Sequence, residues 1–270
     1  MHKKTLLYFA DGMIIGSAML IPGLSGGTTA IILGIYDKLI SAVGSFFKMT
    51  KKNIIFLASV CFGALIGMAL FAKAILFVTD FFRVPMMFLF MGAVLGSLPM
   101  LYNKANVKKV SPSVILAPII GASIVLLIEM IPEDLIKISL GNNVIDYIIL
   151  ILCGVLLSIA LVLPGISVSY MLLILGIYEP TLLAIEERNF MFICVLAVGI
   201  LLGVFLTTNL LEKAMENHSQ ITYLMIIGFV IVSLREVFPG IPIGIEVISS
   251  SLTLISGFGA VLLLSRMVKA

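Results

Sequence analysis

The residues from Ile54 to Phe71 and from Val247 to Leu264 form two stretches of eighteen without a single charge. In a helix such a run covers about 27 Å, close to the hydrocarbon thickness of a bilayer. Buried strands of soluble α/β proteins are also continuously apolar, but they last about four to eight residues. An unpaired backbone amide in lipid costs several kcal/mol, so only helices and closed barrels span, and these runs lack the dyad alternation of a barrel strand. The expected fold class is therefore an all-α polytopic membrane protein. A composition of 61% hydrophobic and 11% charged residues, with a mean hydropathy of +1.25, agrees, being more apolar than one soluble core can bury. No loop between apolar segments exceeds about twenty residues, too few for a soluble domain, so residues 1–270 are expected to form a single membrane domain.

The chain repeats itself. At an offset of 142, Asp11–Asp37 aligns with Cys153–Glu179 without a gap, and ten of the twenty-seven positions are identical. They include Pro22/Pro164, Gly23/Gly165, Ser25/Ser167 and the run Ile-Leu-Gly-Ile-Tyr at 32–36 and 174–178. An offset of 136 continues the match through Gly63/Gly199, Gly67/Gly203, Gly92/Gly228, Ser97/Ser233 and Gly121/Gly257. The repeats cover 11–130 and 153–267. Duplication of this kind marks secondary transporters, whose substrate site lies at the repeat interface on discontinuous helices. A duplicated scaffold without transport is the plainer alternative.

Each half opens with a long apolar stretch interrupted at its centre, around Pro22-Gly23 and Pro164-Gly165. Proline and glycine break helices, which predicts two arms meeting at a turn, a re-entrant hairpin. Three plain spans follow in each half, about 54–78, 86–102 and 113–131, then 190–211, 221–238 and 247–267. With hairpins that return to their starting side, Lys3, Lys4, Lys48, Lys51, Lys52, Lys104, Lys108, Lys109, Lys213, Arg266 and Lys269 fall on one face, 11 of the 17 basic residues. The other face keeps Arg83, Lys137 and Arg188 against seven acids. That asymmetry obeys the positive-inside rule and predicts inverted repeats with both termini in the cytoplasm. The charged and apolar N-terminus has no small-x-small cleavage site and is expected to be retained.

A turn at membrane depth is tolerated only against protein or a watery cavity, so the two turns should face each other. Half-helices starting at about Thr28 and about Tyr170 would direct free N–H groups and a positive dipole end at an anion. Gly26 and Gly27 permit close backbone approach, and Ser25, Thr28 and Ser167 add hydroxyls. The bland alternative is that Pro-Gly-x-Ser only lets helices break and pack. Of the ionisable residues in apolar segments (Asp11, Asp37, Lys38, Lys73, Glu129, Glu179, Arg235 and Glu236), Asp37 and Glu179 follow Gly-Ile-Tyr in both repeats and are candidates for carrying a coupling proton. Arg235 breaks the repeat where the first half has Pro99, and its guanidinium suits a phosphate or the outer interface equally. Cys61, Cys153 and Cys194 lack metal-ligand spacing and read as packing residues. No metal, cofactor or nucleic-acid partner is expected. Membrane lipids are the expected partners, with a homo-oligomer left open.

The run from Gly16 through Pro22-Gly-Leu-Ser-Gly-Gly-Thr28 to Gly34-Ile-Tyr36, its second copy at Pro164, and the stretch Gly92–Pro99 resemble the bacterial PopT family of polyprenyl-phosphate transporters over nearly the full chain. Val168 and Tyr170 stand where that family's second motif has small residues, and Asp11 where a basic residue is frequent. The resemblance implies a flippase rather than an enzyme, one that recycles undecaprenyl phosphate, the cell-envelope carrier lipid. A small-anion or metabolite secondary transporter is the alternative, since half-helix termini also suit a carboxylate. An intramembrane lipid-diphosphate phosphatase would need an acid/base or nucleophile set that the apolar segments do not present. A purely structural partner protein ranks last.

Overall fold

The computed structural model describes residues 2–20, 25–45, 50–109, 111–132 and 144–269, and the described residues form helices without strands. The first six are α1 (His2–Ala18), α2 (Gly26–Ile32), α3 (Tyr36–Gly44), α4 (Lys51–Phe81), α5 (Arg83–Ala105) and α6 (Pro112–Glu129). The next six repeat the order: α7 (Val144–Val162), α8 (Val168–Ile174), α9 (Tyr178–Glu186), α10 (Phe190–Asn217), α11 (Ser219–Val237) and α12 (Ile245–Lys269). The six plain spans expected from hydropathy all appear, within about four residues at most ends and longer at the C-terminus of α10.

Two features differ from the hairpin expectation. Among the described residues seven helices, not six, are long and apolar enough to cross a membrane, because α7 joins α4, α5, α6, α10, α11 and α12. The first arm of the second hairpin is thus of full span length. After Asp146 it carries no charge, whereas its counterpart α1 holds Lys3, Lys4 and Asp11. The second difference is that each return arm is two short helices rather than one. Between α2 and α3, the Gly34 N–H donates to Ile31 O and the Ile35 N–H to Ala30 O, at 2.9 and 3.0 Å. Between α8 and α9, Gly176 and Ile177 donate in the same way to Leu173 and Leu172, at 2.9 and 3.0 Å. Both are Schellman endings, which place one residue in the left-handed region, and Gly34 (φ 73°) and Gly176 (φ 63°) take it. The bend between α8 and α9 is 106°. The repeated Gly-Ile-Tyr motif therefore encodes a second break in each arm.

Helix pairs approach closely at glycines. A Cβ on Gly12 or Gly16 of α1 would land on the Val60 or Ala64 carbonyl of α4, and one on Gly63 or Gly67 on Phe9 or Met13. Gly154 of α7 and Gly199 and Gly203 of α10 do the same for the second half. The remaining pairs cross between halves: α5 packs along α12, with Gly92 against Leu254 and Gly257 against Leu89. In parallel, α6 packs along α11, with Gly121 against Met225 and Gly228 against Pro118. Lipid provides no hydrophobic drive for helix pairing, so close backbone contact through small residues supplies it. All four glycine pairs matched at the 136 offset sit at such contacts.

Candidate functional site

The two interruptions meet at one cavity of about 540 Å³. Its walls include Ser25, Gly26 and Gly27 from the first turn and Gly165, Ile166, Ser167, Val168 and Ser169 from the second. Apolar residues such as Ile15, Ile40, Val60 and Val204 complete most of the lining, and Thr208, Ser233 and Glu236 add polar atoms.

Each turn is capped by its repeated serine. The Thr28 N–H donates to Ser25 Oγ at 3.1 Å, and the Tyr170 N–H to Ser167 Oγ at 3.4 Å. Capping satisfies one of the free donors of a helix start and fixes how the chain enters it. Consequently α2 begins at Gly26 and α8 at Val168, each two residues earlier than the sequence suggests. The N–H groups of Gly26 and Gly27, in the first turn of α2, have no partner among the described residues. Thr28 is only 2% exposed and its hydroxyl lies 2.8 Å from Ser25 Oγ, so it supports Ser25 from behind the lining.

The turns also touch. A Cβ on Gly27 would sit 3.5 Å from Pro164 and from the Val162 carbonyl, and the Tyr36 hydroxyl donates to that carbonyl at 2.9 Å. Pro164 is fully buried, and Gly165 adopts φ 87° with its Cα against the Phe229 carbonyl of α11. A residue with a side chain fits there neither conformationally nor sterically. Pro22 and Gly23, the matching pair of the first turn, lie outside the described residues.

The other sequence candidates fall elsewhere. Asp37 accepts a 2.6 Å ion pair from Lys104 of α5, whose ammonium lies 5.9 Å from the Tyr223 ring centre. Glu179 is exposed and has no ion pair among the described residues. Arg235 is not brought to the cavity: its side chain is 71% exposed and pairs with Glu129 at 3.3 Å. Successive helical residues point about 100° apart, so the residue that turns toward the cavity is its neighbour, Glu236. Lys38 lies over the Tyr8 and Phe56 rings, at 3.7 and 4.2 Å from their centres, joining α3 to α1 and α4. Glu236 is one of the ionisable residues of apolar segments that the sequence marks, whereas Ser169 and Thr208 carry no such signal. Ser233 had a signal, since it repeats Ser97, and both hydroxyls are buried on i−3 carbonyls.

A family model described as undecaprenyl phosphate translocase-like matches residues 15–252. The chain belongs to this family. A protein named polyprenyl-phosphate transporter from Staphylococcus aureus is 32% identical over 98% of both chains. Another of the same name from Vibrio cholerae is 27% identical over 88% of this chain and 80% of its own. No solved structure matches the chain. Family membership and seven span-length helices make it a multi-pass membrane protein.

Proposed function

We propose that the protein is a transporter that carries undecaprenyl phosphate across the bacterial cytoplasmic membrane and so recycles the cell-envelope carrier lipid. One observation carries the reading: two capped helix interruptions face a single apolar cavity and line it with serine hydroxyls and with the backbone of Gly26 and Gly27, whose N–H groups have no partner among the described residues. A phosphate leaving water loses its hydration, which is costly unless preorganised donors replace it. Ser25, Gly26, Gly27 and Ser167 are the donors in this reading, with Thr28 behind Ser25 and Pro164 and Gly165 fixing the second turn. The apolar lining suits the start of a polyprenyl chain. Family membership and the names of the two relatives point to the same cargo.

Inverted repeats accord with the packing, in which α5 pairs with α12 as α11 pairs with α6. The charge asymmetry supports cytoplasmic termini. Neither Asp37 nor Glu179, the candidates for proton coupling, lines the cavity. Arg235, held by Glu129 at the surface, would reach the cargo only by leaving that pair.

The test is reconstitution of the full chain into liposomes carrying fluorescent undecaprenyl phosphate in both leaflets, with dicarboxylate uptake measured in parallel. Protein-dependent loss of leaflet protection for the lipid, without dicarboxylate uptake, is the expected result. Dicarboxylate uptake with no lipid movement would replace this reading with the small-anion one.

A further inference from the structure

An anion cavity that also exposes a carboxylate presents a conflict of charge. Glu236 is that carboxylate: it lines the cavity with Ser25, Gly26, Gly27 and Ser167 and stays exposed within it. A second carboxylate, Glu129 of α6, pairs with the preceding residue, Arg235. Glu129 is anchored twice, its side chain by Arg235 at 3.3 Å and its backbone carbonyl by the Tyr170 hydroxyl at 2.5 Å. The tyrosine thereby ties the start of α8, at the second turn, to the same spot. Arg235 is thus engaged with Glu129, and Glu236 has no cationic partner among the described residues.

None of the other charges on helices packed against α11 forms an ion pair with Glu236 among the described residues. Lys104 of α5 is paired with Asp37 near the opposite end, where the Lys104 carbonyl accepts from Ser219, the first residue of α11. Arg83 of α5 is exposed, five residues before Phe88, whose ring meets Phe238. Glu212, Lys213 and Glu216 lie on the last turns of α10, which lead directly into the start of α11. No positive side chain among the described residues is paired with Glu236.

Resting on the lipid-phosphate reading above, we propose that Glu236 makes cargo binding proton-linked: the cavity accepts the phosphate with Glu236 protonated and rejects it with Glu236 ionised. Like charges brought together at reduced dielectric repel, so either the phosphate stays out or the carboxylate takes up a proton. By linkage, a phosphate that binds only the protonated form draws one proton from water onto the Glu236 carboxylate and releases it when the cargo leaves. Because Glu236 faces the cavity, its proton exchanges with whichever aqueous side the cavity meets. A pH difference across the membrane would then bias the direction of carriage.

The test uses the purified full-length protein in detergent with farnesyl phosphate as probe. Binding is titrated between about pH 5 and about pH 9, a range that spans ordinary and raised carboxylate values, and proton uptake is recorded in weak buffer. For the wild type, affinity should fall with rising pH by about tenfold or more beyond the fall seen in Glu236→Gln, since one proton linked over one pH unit is worth a factor of ten. The glutamine variant should keep tight binding at high pH, its remaining dependence being that of the phosphate, whose second ionisation lies near 6. Glu236→Asp should restore the wild-type slope, and Glu179→Gln should leave it intact. Identical pH profiles for the wild type and Glu236→Gln, with both binding the probe, would overturn the proposal while leaving the lipid-phosphate reading in place. Failure of the wild type to bind farnesyl phosphate at any pH would remove both.

Discussion

The Tyr36 hydroxyl and the Val162 carbonyl, 126 residues apart in sequence, form a buried 2.9 Å hydrogen bond. Val162 closes α7, where carbonyls have run out of helical partners, and Tyr36 opens α3, just after the second break of the first hairpin. A single hydroxyl thus docks one interruption onto the other. Tyr178, which holds the same place in the second repeat, is only partly buried and makes no such bond among the described residues.

Tyr36→Phe should therefore destabilise the protein by about 1 to 3 kcal/mol, the cost of stranding a buried acceptor. A thermal melt in detergent should register the change, and Tyr178→Phe should melt like the wild type. Equal melts for both variants would mean that the docking bond contributes nothing.

Glycines of the two turns should respond differently to the same added methyl. Gly165→Ala forces a side chain into the left-handed region and onto the Phe229 carbonyl, so little folded protein should survive purification. Gly27→Ala meets Pro164 and Val162 at an ordinary 3.5 Å and should fold. If the phosphate approaches the Gly27 backbone, Gly27→Val should still insert and purify yet move lipid slowly. Wild-type flipping by stable Gly26→Val and Gly27→Val variants would remove the backbone from the site.

Asp37 and Lys104 join α3 to α5 with side chains 38% and 29% exposed. A double-mutant cycle with Asp37→Asn and Lys104→Met should give a coupling of about 1 kcal/mol, toward the upper end for partly screened pairs. Exchanging the residues, Asp37→Lys with Lys104→Asp, should recover stability that either single reversal loses. Additive losses across the cycle would show that the two groups do not support each other.

Side of exposure is the most direct check on the repeat topology. Cysteines placed at Lys4, Lys51 and Lys108 of a cysteine-free protein should react with an impermeant maleimide only from the cytoplasm. One at Glu187 should react only from outside. Labelling of positions 4 and 51 from opposite faces would turn the first hairpin into a crossing and remove the argument for inversion.

Span positions were legible because eighteen uncharged residues leave a helix few places to end, and the repeat alignment marked the glycines that later proved to be helix contacts. The second break in each return arm lies at Gly-Ile-Tyr, which the repeat alignment marks as a match and not as a break. Hydropathy does not register a left-handed glycine flanked by Leu33 and Ile35, although the local hydrogen bonding depends on it. Arg235 drew attention in the sequence because a guanidinium suits a phosphate. Glu236 shared only the general signal of an ionisable residue in an apolar segment, because only the rotation of α11 against α6 and the turns decides which of two adjacent charges faces the cavity. Side-chain direction on a broken, swapped scaffold is a tertiary property that the linear pattern does not carry.

The exchanged pairing of α5 with α12 and α6 with α11 governs how the protein can be made. Synthesis proceeds from the N-terminus at about 5–20 residues per second, so α5 and α6 enter the bilayer well before the helices they are shaped to meet. Until then the small-residue faces around Gly92 and Gly121 have only lipid chains beside them, and α1 with α4 is the main helix pair that can close at once. The first half is consequently an assembly intermediate awaiting its second, and release of the last helix from the ribosome, not insertion of the first six, is the event that completes the transporter.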